Sequence, residues 1–110
     1  LQLAKFASKT VAKVVKDLLT PRGLKHEDIK HWAFHPGGEK VINAVRDELR
    51  ISETKLQATR NILARYGNMS SPTVLFVLRE ILQKGIASED WCVMVAFGAG
   101  LSAHGFLLRA

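Results

Sequence analysis

The sequence predicts one α/β domain in which helices pack on a mixed sheet. The 110 residues are enough chain for a single domain with one core. Four stretches place apolar side chains at helical spacing, whereas two short stretches are apolar almost without interruption, as buried strands are. The predicted order is helix, strand, three helices and two strands, which suits helices layered on a sheet.

The first half of the chain predicts a helix, a strand and a second helix. The first helix covers residues 3–19 and ends at Thr20-Pro21-Arg22-Gly23, because proline cannot continue a helix and glycine tolerates a left-handed turn. Residues 26–30 read as a polar connector. The aromatic stretch 31–35 predicts a buried strand, which Pro36-Gly37-Gly38 interrupts. The inner face of the second helix is expected to hold Val41, Ile42, Val45 and Leu49.

Two more helices are predicted in the middle of the chain. Ser52 is expected to cap the third, with Glu53 in the first turn, where the helix dipole favours a negative charge. Gly67 stops this helix, Pro72 takes the first position of the fourth, and Gly85 ends the fourth. The expected apolar faces are Leu56, Ile62, Leu63 and Tyr66 in the third helix, and Val74, Leu75, Leu78, Ile81 and Leu82 in the fourth.

The last quarter predicts two strands. Trp91–Phe97 is nearly all apolar, so both of its faces are expected to be buried. Gly98-Ala99-Gly100 turns the chain, and residues 101–109 form a second strand broken at Gly105. Two strands joined by a short glycine-rich connection are most simply antiparallel.

Composition narrows the function classes. Hydrophobic residues make up 47% and charged residues 24%, which excludes a disordered, collagen-like or low-complexity chain. A lone cysteine, Cys92, allows no internal disulfide and suits a reducing compartment, so we expect a cytoplasmic protein. The longest apolar run is too short for a membrane span, and the first residues lack the pattern of a signal peptide.

The net charge of +6 would attract anions such as nucleic acid, acidic lipid or phosphorylated cofactors. The N-terminal lysines nevertheless form one helical stripe, Lys5, Lys9, Lys13 and Lys16. Opposite them lies an apolar stripe, Leu3, Ala7, Val11, Val14 and Leu18. A solvated face of an amphipathic helix explains that pattern, so we expect no nucleic-acid partner.

His35 with Pro36-Gly37-Gly38 is the first candidate site. A histidine at the carboxyl end of a buried strand, just before a helix, lies where α/β folds commonly bind ligands. Two glycines allow close approach of a substrate, and a helix N-terminus favours anions. A tight strand-to-helix turn with an incidental histidine explains the same residues, and position alone leaves both interpretations open.

Asn68 is the second candidate, between two predicted helices and directly after a glycine. As a lone residue it is best explained as a helix cap. Its amide could instead donate a hydrogen bond to a developing oxyanion. Together, His35 and Asn68 would supply two donors to one carbonyl group.

The remaining titratable residues give weaker evidence of a functional site. His26, His31 and His35 have no carboxylates or further cysteines at metal-site spacing, so we expect no metal. Cys92 lies within an apolar strand, where a thiol usually serves as an inert packing group. No pattern decides whether His104 is exposed or near a pocket.

Several motifs resemble the type III polyketide synthases, the chalcone and stilbene synthase family. Residues 32–38 (WAFHPGG) resemble the catalytic-histidine motif, and residues 66–71 (YGNMSS) resemble the catalytic-asparagine motif. Supporting stretches are residues 56–60 (LQATR), residues 74–78 (VLFVL), Trp91 and residues 96–102 (AFGAGLS), the last of which is similar to the family's glycine-rich loop. Their order and spacing agree along essentially all 110 residues.

The resemblance implies that residues 1–110 form the C-terminal half of a thiolase-like fold. It implies an acyltransferase that condenses malonyl-CoA onto an acyl-CoA starter by decarboxylative Claisen chemistry, in a homodimer, with CoA thioesters as substrates and no other cofactor. His35 and Asn68 would promote decarboxylation and stabilise the enolate. The substrate pocket would include Gly37, Gly38, Ser70, Gly98, Ala99 and Gly100.

Three features depart from the family's pattern. Cys92 does not match the nucleophilic cysteine, which belongs to the N-terminal half, so we expect these 110 residues alone to be inactive. Ala99 stands where plant members usually have proline, and His104 replaces a residue that is commonly acidic. The product is therefore not assumed to be a chalcone.

Other functions stay open at this stage. Another thiolase-fold ketoacyl synthase is a close alternative, although the Pro-Gly-Gly after His35 argues against a carrier-protein-dependent enzyme. Met69 after Asn68 argues more weakly against a very-long-chain ketoacyl-CoA synthase. The remaining alternatives are a non-catalytic basic binding domain and a scaffold whose exposed apolar face makes it self-associate.

Overall fold

The computed structural model describes residues 3–35, 38–67, 73–97 and 102–110. Their elements run in the predicted order of helix, strand, three helices and two strands. The helices are α1 (Leu3–Leu19), α2 (Glu39–Leu49), α3 (Gln57–Tyr66) and α4 (Thr73–Lys84), and the strands are β1 (Ile29–Phe34), β2 (Trp91–Phe97) and β3 (Ala103–Arg109). Short 3₁₀ turns cover Thr20–Arg22, His26–Asp28 and Glu53–Leu56.

The three strands form a mixed sheet in the order β1-β2-β3. β1 runs parallel to β2 with Phe34 opposite Val95, and β2 runs antiparallel to β3 with Val95 opposite Gly105. The predicted α/β fold class and its terminal antiparallel pair are therefore confirmed. Because β1 and β2 are parallel, Phe34 and Phe97 lie toward the same end of the sheet.

Helices cover both faces of the sheet. On one face α1 and α2 enclose a core that includes Val11, Val15, Leu19, Trp32, Phe34, Ile42, Val45, Leu49, Val93 and Val95. On the other face, α3 and α4 pack Ala58, Ile62, Val74, Val77 and Ile81 against Ala33, Met94 and Ala96. Phe34 and Ala33 belong to opposite cores because successive strand residues point to opposite faces.

Several predicted boundaries differ from the structure. β1 begins at Ile29 and ends at Phe34, so part of the predicted connector is strand and His35 lies just beyond it. A 3₁₀ turn precedes α3, and Ser52 at its start makes no capping bond to the backbone; its hydroxyl pairs with that of Thr54. The proposed roles of Pro72 at the start of α4 and of Gly98-Ala99-Gly100 in a turn fall outside the described residues.

Two helix faces also differ from the prediction, those of α3 and α4. Tyr66, Leu75 and Leu82 were expected inside, but their exposed fractions are 51%, 56% and 52%. The buried face of α4 includes Val74 and Ile81, as predicted, together with Thr73, Val77 and Glu80. Apolar residues surround α4 on most sides, so the periodicity alone did not select the inward face.

Gly105 does not break β3, which runs without interruption from Ala103 to Arg109. The lack of a side chain at Gly105 instead allows α1 to pack closely on β3, because Val14 and Leu18 approach the position that a β-carbon would occupy. Among the described helices, none combines the length and apolar character needed to cross a membrane.

Candidate functional site

His35 directly follows β1, and its ring is largely buried, with 8% of the residue exposed. Its backbone N–H donates to the carbonyl oxygen of Val95 at 2.9 Å, which continues the parallel pairing one residue beyond the strand. The sequence predicted a histidine at the carboxyl end of a buried strand, and the structure places it there. The backbone of His35 is therefore held in register with β2.

The imidazole of His35 contacts the ring of Phe97, the last residue of β2. The ring centroids are 5.9 Å apart and the planes lie at 72°, an edge-to-face arrangement. Such a contact limits the positions open to the imidazole and shields one side of it from water. The carboxyl ends of two neighbouring parallel strands thus meet at His35.

Gly38 begins α2 three residues after His35. Its backbone has φ 124° and ψ 158°, in the range that side chains rarely adopt, and its carbonyl accepts the N–H of Ile42 at 3.0 Å. A β-carbon at this position would meet nothing within 4 Å, so space does not require glycine. The positive φ requires it, because other residues rarely adopt that conformation. This glycine therefore lets α2 begin only a few residues after His35.

The backbone on the outer side of β1 is held by the segment that leads into α3. The N–H of Phe34 donates to the hydroxyl of Thr59 at 3.3 Å, and Lys55 Nζ donates to the carbonyl oxygen of Ile29 at 2.7 Å. Thr59 is fully buried. Thr59 belongs to the stretch LQATR, for which the resemblance implied no role. Its position beside Ala58 and Ile62 on the inner face of α3 is the signal that indicates a buried, structural hydroxyl.

A second cluster joins α3 to the start of α2. Arg60 donates to Glu39 and Glu53, each at 2.7 Å, and to the amide oxygen of Asn43 at 2.7 Å. Arg46 also donates to Glu53 at 2.8 Å. Hydrogen bonds from two arginines lower the pKa of the Glu53 carboxyl to about 2. The bond from Arg60 has the largest effect, and the bond from Arg46 has the next largest. The start of α2 is therefore linked to α3 by an ion pair and a hydrogen bond.

Most of the other predicted site residues fall outside the described residues. These are Gly37, Asn68, Ser70, Gly98, Ala99 and Gly100. The elements that flank them are described: Gly67 closes α3 with φ 70°, and α4 begins at Thr73. Both helices pack against β1, the strand that leads to His35.

The other histidines lie elsewhere in the fold. His31 donates to Asp90 at 2.8 Å, a bond that lowers the pKa of the Asp90 carboxyl. His26 Nδ1 donates to the carbonyl oxygen of Leu49 at 3.0 Å, and His104 is exposed on β3. Within the described ranges, no group of three histidine, cysteine or acidic side chains is arranged to hold a metal.

Cys92 is buried in β2, and burial raises the pKa of its thiol to about 11. A thiol in that environment stays protonated at neutral pH and is a poor nucleophile. The burial expected for Cys92 is therefore confirmed.

A family model and solved structures of known proteins both match this chain. The family model described as chalcone and stilbene synthases, C-terminal domain, matches residues 2–110. The crystal structure of PKS-I from the brown algae Ectocarpus siliculosus is similar over 98% of this chain, with a TM-score of 0.88 and 30% sequence identity. The chain covers 30% of the length of that structure, so it is similar to one part of it.

Proposed function

This chain belongs to the chalcone and stilbene synthase family of type III polyketide synthases, which are transferases, and from that premise we propose its specific chemistry. The chain is the C-terminal domain of an acyltransferase that condenses malonyl-CoA units onto an acyl-CoA starter. The observation that carries the proposal is His35, buried at the carboxyl end of β1 and packed against the end of β2.

His35 and Asn68 act on the malonyl thioester in this proposal. Each donates a hydrogen bond to the thioester oxygen while the bond to the terminal carboxylate breaks and CO₂ leaves. The electron pair passes to the enolate, whose oxygen the two donors stabilise. The enolate carbon then attacks the carbonyl carbon of the acyl group, which a cysteine carries as a thioester. The new carbon–carbon bond forms, the carbon–sulfur bond breaks, and the cysteine departs as a thiolate.

The cysteine that carries the acyl chain lies outside these 110 residues in the proposed enzyme. Cys92 is unsuited to the role because its thiol is buried and its pKa is about 11. We therefore expect the 110 residues by themselves to release no CoA from malonyl-CoA and a starter thioester. Sustained release by the purified 110-residue chain would contradict this expectation.

Gly37 and Gly38 would shape the approach of the thioester, and Ser70 would be next to the site. Gly98, Ala99 and Gly100 would line the pocket in which the polyketide chain cyclises. The described neighbours support this arrangement, since Gly38 begins α2 and Phe97 contacts the imidazole.

We also propose that the enzyme is a homodimer. Large apolar side chains are exposed near the start of α1 and along β3, namely Leu3, Phe6, Phe106 and Leu108. Phe106 and Leu108 lie two residues apart on β3 and so expose apolar surface on the same face of the sheet, which favours association. Sedimentation equilibrium of the complete polypeptide should give twice the monomer mass, and a monomer at high concentration would contradict the proposal.

The catalytic proposal is tested in the complete polypeptide that contains these residues. His35→Ala and Asn68→Ala should each lower malonyl-CoA decarboxylation and condensation by about 100-fold or more, since each removes a donor to the oxyanion. His104→Ala is the matched control, because it removes an exposed histidine from the same sheet. Its rate should stay within about twofold of the parent. A wild-type rate in His35→Ala would contradict the proposal.

A further inference from the structure

The outer edge of β1 has an arrangement that the proposed mechanism does not use. Within the described residues, β1 pairs with β2 on one side, and its other side faces α3 and the turn before it. A buried backbone group on such an edge needs a partner from a side chain. Thr59 accepts the N–H of Phe34, and Lys55 donates to the carbonyl oxygen of Ile29.

The two amides nearest the imidazole are held from opposite sides. The N–H of Phe34 points outward to Thr59 at 3.3 Å, and the N–H of His35 points inward to Val95 at 2.9 Å. These two bonds hold the peptide groups on either side of Phe34 Cα, so they restrict backbone rotation at Phe34. That rotation would otherwise swing the His35 side chain away from Phe97.

We infer that Thr59 is a positioning residue for His35: its hydroxyl fixes the end of β1 and thereby the direction of the imidazole. The inference rests on the proposed function of His35. Positioning matters because a displacement of about 1 Å at a reacting group lowers rates by up to about 100-fold. Thr59 itself is covered by the packing of α3 on β1 and acts through the backbone.

Replacement of Thr59 by valine separates the hydrogen bond from packing. Valine has nearly the same shape, but it leaves the buried N–H of Phe34 without its acceptor. Thr59→Ser keeps the hydroxyl and loses a methyl group. Lys55→Met is the matched control, because it removes another side-chain hydrogen bond to the backbone of β1, at the end far from His35.

The variants are compared in the complete polypeptide by steady-state kinetics with malonyl-CoA. Thr59→Val should lower kcat about tenfold and change KM less than about twofold, because geometry in the transition state is lost while binding is kept. Thr59→Ser should restore kcat to within about twofold of the parent. Lys55→Met should leave kcat within about twofold, whatever its effect on stability. If Thr59→Val does not fold, Thr59→Ala takes its place.

Hydrogen exchange gives a readout that does not depend on activity. Peptides that contain Phe34 and His35 should exchange faster in Thr59→Val than in Lys55→Met or Thr59→Ser. Unchanged exchange and kcat in Thr59→Val would overturn the inference, as would equal loss of kcat in Thr59→Val and Lys55→Met.

His35→Ala in the same assay separates failure of this inference from failure of the proposed function. A fully active His35→Ala enzyme would overturn both the proposed function and the catalytic consequence of Thr59. A strongly impaired His35→Ala enzyme beside an unaffected Thr59→Val enzyme would overturn the Thr59 inference alone.

Discussion

Val14 in α1 lies directly over Gly105 in β3: a β-carbon on that glycine would be 2.5 Å from Val14 Cγ1. The same β-carbon would be 2.8 Å from Leu18 Cδ1. Contact this close requires neighbouring atoms to move. The absence of a side chain at position 105 therefore allows α1 to pack onto β3.

Gly105→Ala should destabilise the chain by about 1–3 kcal/mol, the usual cost of overpacking a core. Urea unfolding measures the difference. In a Gly105→Ala/Val14→Ala double variant, part of the loss should be recovered relative to the sum of the single variants, because the second change removes the overlapping methyl groups. Additive effects of the two substitutions would show that the contact does not limit packing.

Glu80 in α4 should matter more for stability than an exposed acidic residue. Its side chain is 7% exposed and accepts hydrogen bonds from Asn61 at 2.7 Å and Arg65 at 3.3 Å. Glu80→Ala should lower the free energy of unfolding by about 1–3 kcal/mol, because the Nδ2 group of Asn61 loses its hydrogen-bond acceptor.

Glu89→Ala is the matched control for Glu80. Glu89 pairs with Arg109 at 2.7 Å, but its side chain is 72% exposed. Its loss should change the free energy of unfolding by less than about 0.5 kcal/mol. Equal effects of the two substitutions in urea unfolding would refute the importance of burial at Glu80.

Glu53 should make stability depend on pH in the acid range. Its pKa in the folded chain is about 2, against an ordinary value of 4.5. A depressed pKa contributes stability above about pH 4.5, and that contribution is lost as the pH falls toward 2. Glu53→Gln should flatten this part of the curve of unfolding free energy against pH. The effect should shrink in high salt because Glu53 is exposed. An unchanged curve in the variant would contradict the assignment.

Cys92 should resist alkylation in the folded protein. At pH 8, iodoacetamide should leave its tryptic peptide unmodified, because the thiol is buried with a pKa of about 11. The same peptide should be fully alkylated after unfolding in guanidinium. Rapid modification in the native state would contradict the predicted burial.

Much of the architecture follows from local patterns in the chain. The bounds of α1 agree with the prediction, because an amphipathic stripe leads directly to Pro21 and Gly23, two strong stop signals. The placement of His35 at the end of a buried strand was also predictable, because an apolar run ends there at Pro36. The bounds of an element can be predicted with little knowledge of the tertiary structure when its hydrophobic pattern ends at a proline or glycine.

The sequence by itself determined the fold class, the order of elements and the two candidate catalytic residues, His35 and Asn68. The tertiary structure decided what touches His35: Phe97 comes from 62 residues further along, and Thr59 holds the preceding amide from another helix. It also decided which side of α4 faces the sheet and that Gly105 serves helix packing. Such contacts depend on how separate elements meet, and periodicity within one element does not encode them.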